Sequence, residues 1–108
     1  MQTSVSHLLS AVALEKLPAL CRAHRVRRLD VFGSAVTDTF DDVRSDIDLL
    51  VDFEDLPLAG QADLYFGLHD ALRALFGRNV DLLTERSIEN PYLRRSIEAT
   101  RQPLYASP

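Results

Sequence analysis

Apolar positions recur along this chain with two periods, and each change of period marks a new element. Val5, Leu8, Leu9 and Val12 fall at helical spacing, with Ser4 placed to cap the N-terminus. Pro18 is expected to divide this segment, because proline fits the first turn of a helix better than its interior. A second helical piece is predicted to run to about His24. Leu29-Asp30-Val31-Phe32 reads as a strand ending at Gly33, and Ile47-Asp48-Leu49-Leu50-Val51-Asp52-Phe53 as a second. Pro57 opens a helix predicted to reach Phe76, with an apolar stripe of Leu58, Ala62, Tyr65, Leu68, Leu72 and Leu75 that reads as core. Gly77 fits its C-terminal cap. Val80 to Thr84 is the third strand, and a last short helix is predicted over Pro91 to Thr100. The expected fold class is α/β. One domain over residues 1–108 has a small mixed β-sheet with helices packed mainly on one face.

Within the strands, some positions break the pattern. Successive strand side chains point to opposite faces. Ile47, Leu49, Val51 and Phe53 therefore share one face, and Asp46, Asp48, Leu50 and Asp52 the other. Asp46 and Asp48 become neighbouring like charges at the start of a strand. They repel each other, and burial makes that worse. A hard divalent cation relieves the repulsion, since Mg²⁺ binds through one or two carboxylates plus substrate phosphates. Asp81 repeats the anomaly inside Val80-Asp81-Leu82-Leu83. An ionised acid in an apolar strand is costly unless paired or bound to metal. If the third strand lies beside the second, Asp81 joins the other two acids. Three carboxylates can then hold two metal ions, the arrangement that clamps the attacking and leaving oxygens of a nucleotidyl displacement.

Gly33-Ser34 supplies a phosphate end. Glycine lets a backbone approach a ligand closely, and Ser34 offers a hydroxyl and a backbone N–H at the possible start of a short helix. Taken singly, each feature has a plain structural reading. Gly33-Ser34 is then an ordinary turn, Asp46-Ile47-Asp48 a solvated strand end, and Asp81 a residue on an exposed face. Their order and spacing favour a joint site.

Composition narrows the classes. A chain of 108 residues that is 46% hydrophobic can bury a core, though a small one. The formal charge of −4 argues against nonspecific nucleic-acid binding, which rests on Lys and Arg neutralising phosphates. A lone Cys21 excludes an internal disulfide and a cysteine-rich metal cluster. With no signal peptide and no membrane-spanning apolar run, a cytoplasmic location is expected. His7, His24 and His69 lack metal-ligand spacing and read as surface or structural residues. Arg86, Arg94, Arg95 and Arg101 give the C-terminal region a local basic bias that reads as a solvated helix face.

The set Gly33, Ser34, Asp46, Asp48 and Asp81 resembles the minimal nucleotidyltransferases of the polymerase-β-like nucleotidyltransferase superfamily. These share a Gly-Ser, a spacer, Asp-x-Asp in a strand and a later lone Asp. Val26-Arg27-Arg28-Leu29, Gly77 to Thr84 and Pro103-Leu104-Tyr105 fit as well. The spacer here, Ala35 to Ser45, holds Asp38, Asp41 and Asp42 against a single Arg44. An acidic spacer weakens ATP binding unless these acids face solvent, as expected.

The resemblance implies a nucleotidyltransferase fold and nucleotidyl transfer from ATP with Mg²⁺, two ions being expected. Asp46 and Asp48 would hold the metal on the triphosphate, with Asp48 bridging both ions. Asp81 would complete the second site and accept the proton of the attacking hydroxyl. Gly33 and Ser34 would bind the phosphate tail. The implied partner is a HEPN-domain toxin, a ribonuclease, whose tyrosine accepts AMP, with this chain as antitoxin in a hetero-oligomer. Two other readings stay open: an antitoxin that neutralises by binding alone, and transfer to a small-molecule hydroxyl.

Overall fold

A computed structural model of the protein describes residues 11–33, 46–55 and 57–107. Ser4, Val5, Leu8, Leu9, Ser34, the spacer 35–45 and the side chain of Leu58 lie outside the described residues. The elements in chain order are helix α1 (Ala11–Ala23), strands β1 (Val26–Phe32) and β2 (Ile47–Phe53), helix α2 (Leu58–Phe76), strand β3 (Val80–Thr84), a 3-10 turn (Glu85–Ser87), helix α3 (Pro91–Thr100) and strand β4 (Gln102–Ala106). The sheet order is β3-β2-β1-β4. β1 runs antiparallel to β2 and β4, whereas β3 runs parallel to β2 after the α2 crossover.

Strand alternation sorts the side chains as the sequence predicts. Leu29, Val31, Ile47, Leu49, Val51, Phe53, Val80 and Leu82 fill one face of the sheet. Leu17 and Cys21 of α1, with Leu68 and Leu72 of α2, close over it. Burial pushes the Cys21 thiol up to about 12, so it packs as an inert apolar group. The opposite face carries a smaller cluster of Phe32, Leu50 and Ile97, covered by α3. Two of the three helices among the described residues thus share one face. Among the described residues no helix is long and apolar enough to cross a membrane.

The ends of α2 and α3 follow local chemistry. Gly77 caps α2 in the left-handed conformation, φ 67°, and returns its N–H to the Arg73 carbonyl. Asn90 caps α3 by accepting from the Tyr92 and Leu93 N–H groups, and Pro91 takes the first helical position.

Two expectations need correction. Pro18 does not divide the first segment: α1 runs through it from Ala11 to Ala23. Buried Ala13, Leu17 and Cys21 lie one turn apart on either side of the proline. Their shared apolar stripe offsets the helical bond that proline removes. The first strand also starts earlier than Leu29, at Val26. The run Pro103-Leu104-Tyr105 forms part of an additional edge strand, β4, beside β1.

The covered polar face depends on one buried acid. Asp30 is fully buried. Arg101, at the end of α3, donates from Nε to Asp30 Oδ2 at 2.7 Å and is itself mostly buried. Arg101 also pairs with Glu98 at 2.7 Å and Glu85 at 3.2 Å, and Arg94 pairs with Glu85 at 2.6 Å. The exposed members of such a network contribute little, but an unpaired buried carboxylate is costly. Arg28, half-exposed on β1, also donates to Asp30 at 3.1 Å, so Arg101→Ala leaves the buried acid with one outer partner. That variant should lower unfolding stability by about 2 kcal/mol in urea melts at neutral pH, whereas Arg94→Ala should have a much smaller effect.

Candidate active site

The acids meet where β1, β2 and β3 run side by side. Register pairs Phe32 with Asp48 across the antiparallel ladder, and Asp48 with Asp81 across the parallel one. Directly paired residues project to the same face of a sheet, so Asp48 and Asp81 stand together. Asp46 sits just before β2, exposed like Asp81, while Asp48 is half-buried. Burial, then the Asp81 charge, then the Asp46 charge push the Asp48 carboxyl up to about 6. No cation among the described side chains is paired with Asp48. Asp52, on the same face further along β2, is engaged by Arg27 at 2.7 Å.

Gly33 forms the wall of this site. Its φ is +74°, a region that side chains disfavour. A Cβ built there would lie 2.6 Å from Asp48 Oδ2. Only a bare backbone passes this close to the carboxylate. The Gly33 N–H is tied down by the Thr100 hydroxyl at 2.9 Å, and that hydroxyl donates to the Ser96 carbonyl at 3.1 Å. The last turn of α3, anchored by Arg101 on Asp30, thereby fixes the end of β1. This tether joins residues 67 positions apart in sequence, and the sequence reading did not find it.

Asp46, Asp48, Asp81 and Gly33 thus come together in one region, and Ser34 lies outside the described residues. Among the described residues, no group of three or more His, Cys, Asp or Glu is arranged to hold a metal ion. What is present is a like-charged carboxylate pair with a third acid near it. That donor set fits Mg²⁺, which prefers hard oxygen ligands and is completed by phosphates and water.

A nucleotidyltransferase domain model matches residues 15–104. The chain belongs to the nucleotidyltransferase domain family. It is 32% identical over 90 residues to the protein adenylyltransferase MntA of Thermococcus cleftensis, covering 76% of this chain and 87% of that one. A solved chain provisionally named a minimal nucleotidyltransferase is 34% identical with a TM-score of 0.65, covering 94% of this chain and 96% of the other. The same fold occurs in a Shewanella oneidensis complex of a tri-AMPylated HEPN toxin with an MNT antitoxin. There the identity is 22%, the TM-score is 0.58, and the match covers 89% of this chain and 71% of that one.

Side chains that the sequence left as peripheral have structural work in this nucleotidyltransferase. His24 Nδ1 meets the Leu20 carbonyl at 2.9 Å, and His69 Nε2 meets the Val80 carbonyl at 2.8 Å. Arg94 and Arg101 are engaged by acids rather than spread over a solvated face. Asp30 was legible as an acid in an apolar run, the signal that marks Asp81, yet its partner is an arginine.

The raised pKa of Asp48 has a sign that can be measured. The folded state holds the Asp48 proton more tightly than the unfolded chain does, so this group's contribution to stability falls as pH rises from about 4 to about 6. Asp48→Asn removes that loss. With allowance for solvent screening, this variant should be about 1 kcal/mol more stable than the wild type at pH 7 without metal, and equal to it near pH 4. Urea melts at the two pH values check this.

Proposed function

We propose that this chain is a Mg²⁺-dependent protein adenylyltransferase that acts in the cytoplasm as an antitoxin. It transfers AMP from ATP to a tyrosine hydroxyl of a HEPN-domain toxin and releases pyrophosphate. The observation that carries the reading is Asp48 paired with Asp81 on adjacent parallel strands, under the side-chain-free backbone of Gly33. Support for the acceptor comes from the protein adenylyltransferase name of the Thermococcus relative and from the AMPylated toxin of the Shewanella complex.

Each residue has a defined part. Asp46 and Asp48 would hold the ion on the triphosphate, and Asp81 would join Asp48 in holding a second. The bound ions would neutralise charge on the phosphate oxygens and favour the deprotonated acceptor. Gly33 presents its backbone to the phosphate tail, and Ser34 adds its hydroxyl. The acceptor oxygen attacks the α-phosphorus in line, and the bond from that phosphorus to the bridging oxygen breaks. Asp81 receives the acceptor's proton. The acids must be ionised for metal, and Asp48, with its carboxyl pushed up to about 6, holds its proton more tightly than an ordinary carboxylate, so activity is expected to weaken as the pH falls below that range and protons compete with metal.

Incubation of the purified protein with Mg²⁺, α-labelled ATP and a co-expressed HEPN partner tests the assignment. Label should appear on the partner, and Asp48→Asn or Asp81→Asn should reduce its rate by about 10²-fold or more. Full activity in either variant would remove the assignment. Neutralisation that survives Asp46→Ala plus Asp48→Ala without any label transfer would make the chain a binding antitoxin.

A further inference from the structure

Asp81 lies on an edge strand, which is a poor place for a residue that must be held accurately. Among the described residues β3 pairs with β2 on one side only. The Ile47 N–H donates to the Asn79 carbonyl at 3.1 Å, and the register pairs Ile47 with Val80. A parallel ladder uses every second residue. The backbone groups of Asn79, Asp81 and Leu83 therefore face β2, and those of Val80, Leu82 and Thr84 face outward. An edge of this kind ordinarily frays or pairs with other chains.

Here the outward carbonyls are taken by side chains. His69 Nε2 lies 2.8 Å from the Val80 carbonyl, and because a carbonyl can only accept, that nitrogen carries the proton. The Tyr65 hydroxyl donates to the Leu82 carbonyl at 2.5 Å. The Ser87 hydroxyl donates to the Thr84 carbonyl at 2.9 Å. Tyr65 and His69 are one turn apart on α2, with parallel rings 6.4 Å between centroids. They grip the residues on each side of Asp81, and Ser87 grips the strand further on.

We propose that Tyr65 and His69 are positioning residues for Asp81. They bind the backbone on either side of it and hold its carboxylate beside Asp48. The inference rests on the reading of Asp81 as a metal-binding acid. Its structural half, the clamp on β3, stands apart from that reading. Outer partners of metal-binding groups act in this way, and their loss typically weakens metal binding or activity by about 10-fold or more.

The test compares Tyr65→Phe plus His69→Leu with Ser87→Ala, in the full chain. One readout is amide hydrogen exchange at Asp81 and Leu83, with Leu50, whose backbone faces β1 rather than β3, as the internal reference. The other is Mn²⁺ binding in the presence of a non-hydrolysable ATP analogue. In the double variant, exchange at Asp81 should accelerate about 10-fold relative to Leu50, and Mn²⁺ should bind about 10-fold more weakly. Ser87→Ala should leave both unchanged at Asp81. His69→Gln, which keeps a donor, should restore most of the loss when Tyr65 is intact. Unchanged exchange at Asp81, or a double variant no different from Ser87→Ala, would overturn the proposal. If the wild-type protein binds no Mn²⁺ with the analogue, the metal reading of the acids fails, and exchange alone still decides the clamp.

Discussion

The structure depends on a register that sets two acids against each other. Parallel pairing of β2 with β3 puts Asp48 opposite Asp81, and the Asp46 charge just before β2 is close enough to act on Asp48. Like charges directly across a ladder are destabilising, and burial adds to the cost. Asp48 shows that cost in a carboxyl pushed up to about 6. A fold optimised for stability alone would place a hydrophobic residue or an arginine there. The same sheet face shows that alternative one strand away, where buried Asp30 is paired with Arg101 and Arg28. The two acids differ in their partners: both are partly or fully buried, but among the described residues only Asp30 has a cation paired with it.

The rest of the molecule keeps that unfavourable pair in place. The apolar face, filled from α1, α2 and strands β1, β2 and β3, fixes the sheet. On the other face, Arg101 ties α3 to Asp30. Thr100, the residue before it, holds the Gly33 N–H. From the crossover helix, Tyr65 and His69 hold the edge strand. The site is thus supported by backbone contacts as much as by side chains, as suits residues whose charges repel.

Much of this was legible in the sequence, and the gaps have physical reasons. β2, β3 and α3 begin and end where the alternation and the Asn90-Pro91 cap put them, because local chemistry decides those boundaries. Asp48 and Asp81 stand out because carboxylates interrupt apolar strands. Pro18 misleads because a buried stripe on both sides outweighs local propensity. β4 is short, contains Pro103 and is largely exposed, so it lacks a strand pattern and forms only because β1 offers a free edge. The Asp30–Arg101 pair joins residues 71 apart, and the Tyr65 and His69 contacts end on backbone carbonyls. No periodicity encodes such partners. Tyr65 reads correctly as part of an apolar stripe, while its hydroxyl has a separate task.

The most direct measurement is a crystal structure of the protein with Mn²⁺ and a non-hydrolysable ATP analogue, with the metal located by its anomalous signal. The account predicts a peak between the Asp48 and Asp81 carboxylates, about 2 Å from oxygens of both, with the phosphates lying along the Gly33 backbone. A nucleotide bound elsewhere, or an anomalous map empty at these two acids, would contradict it.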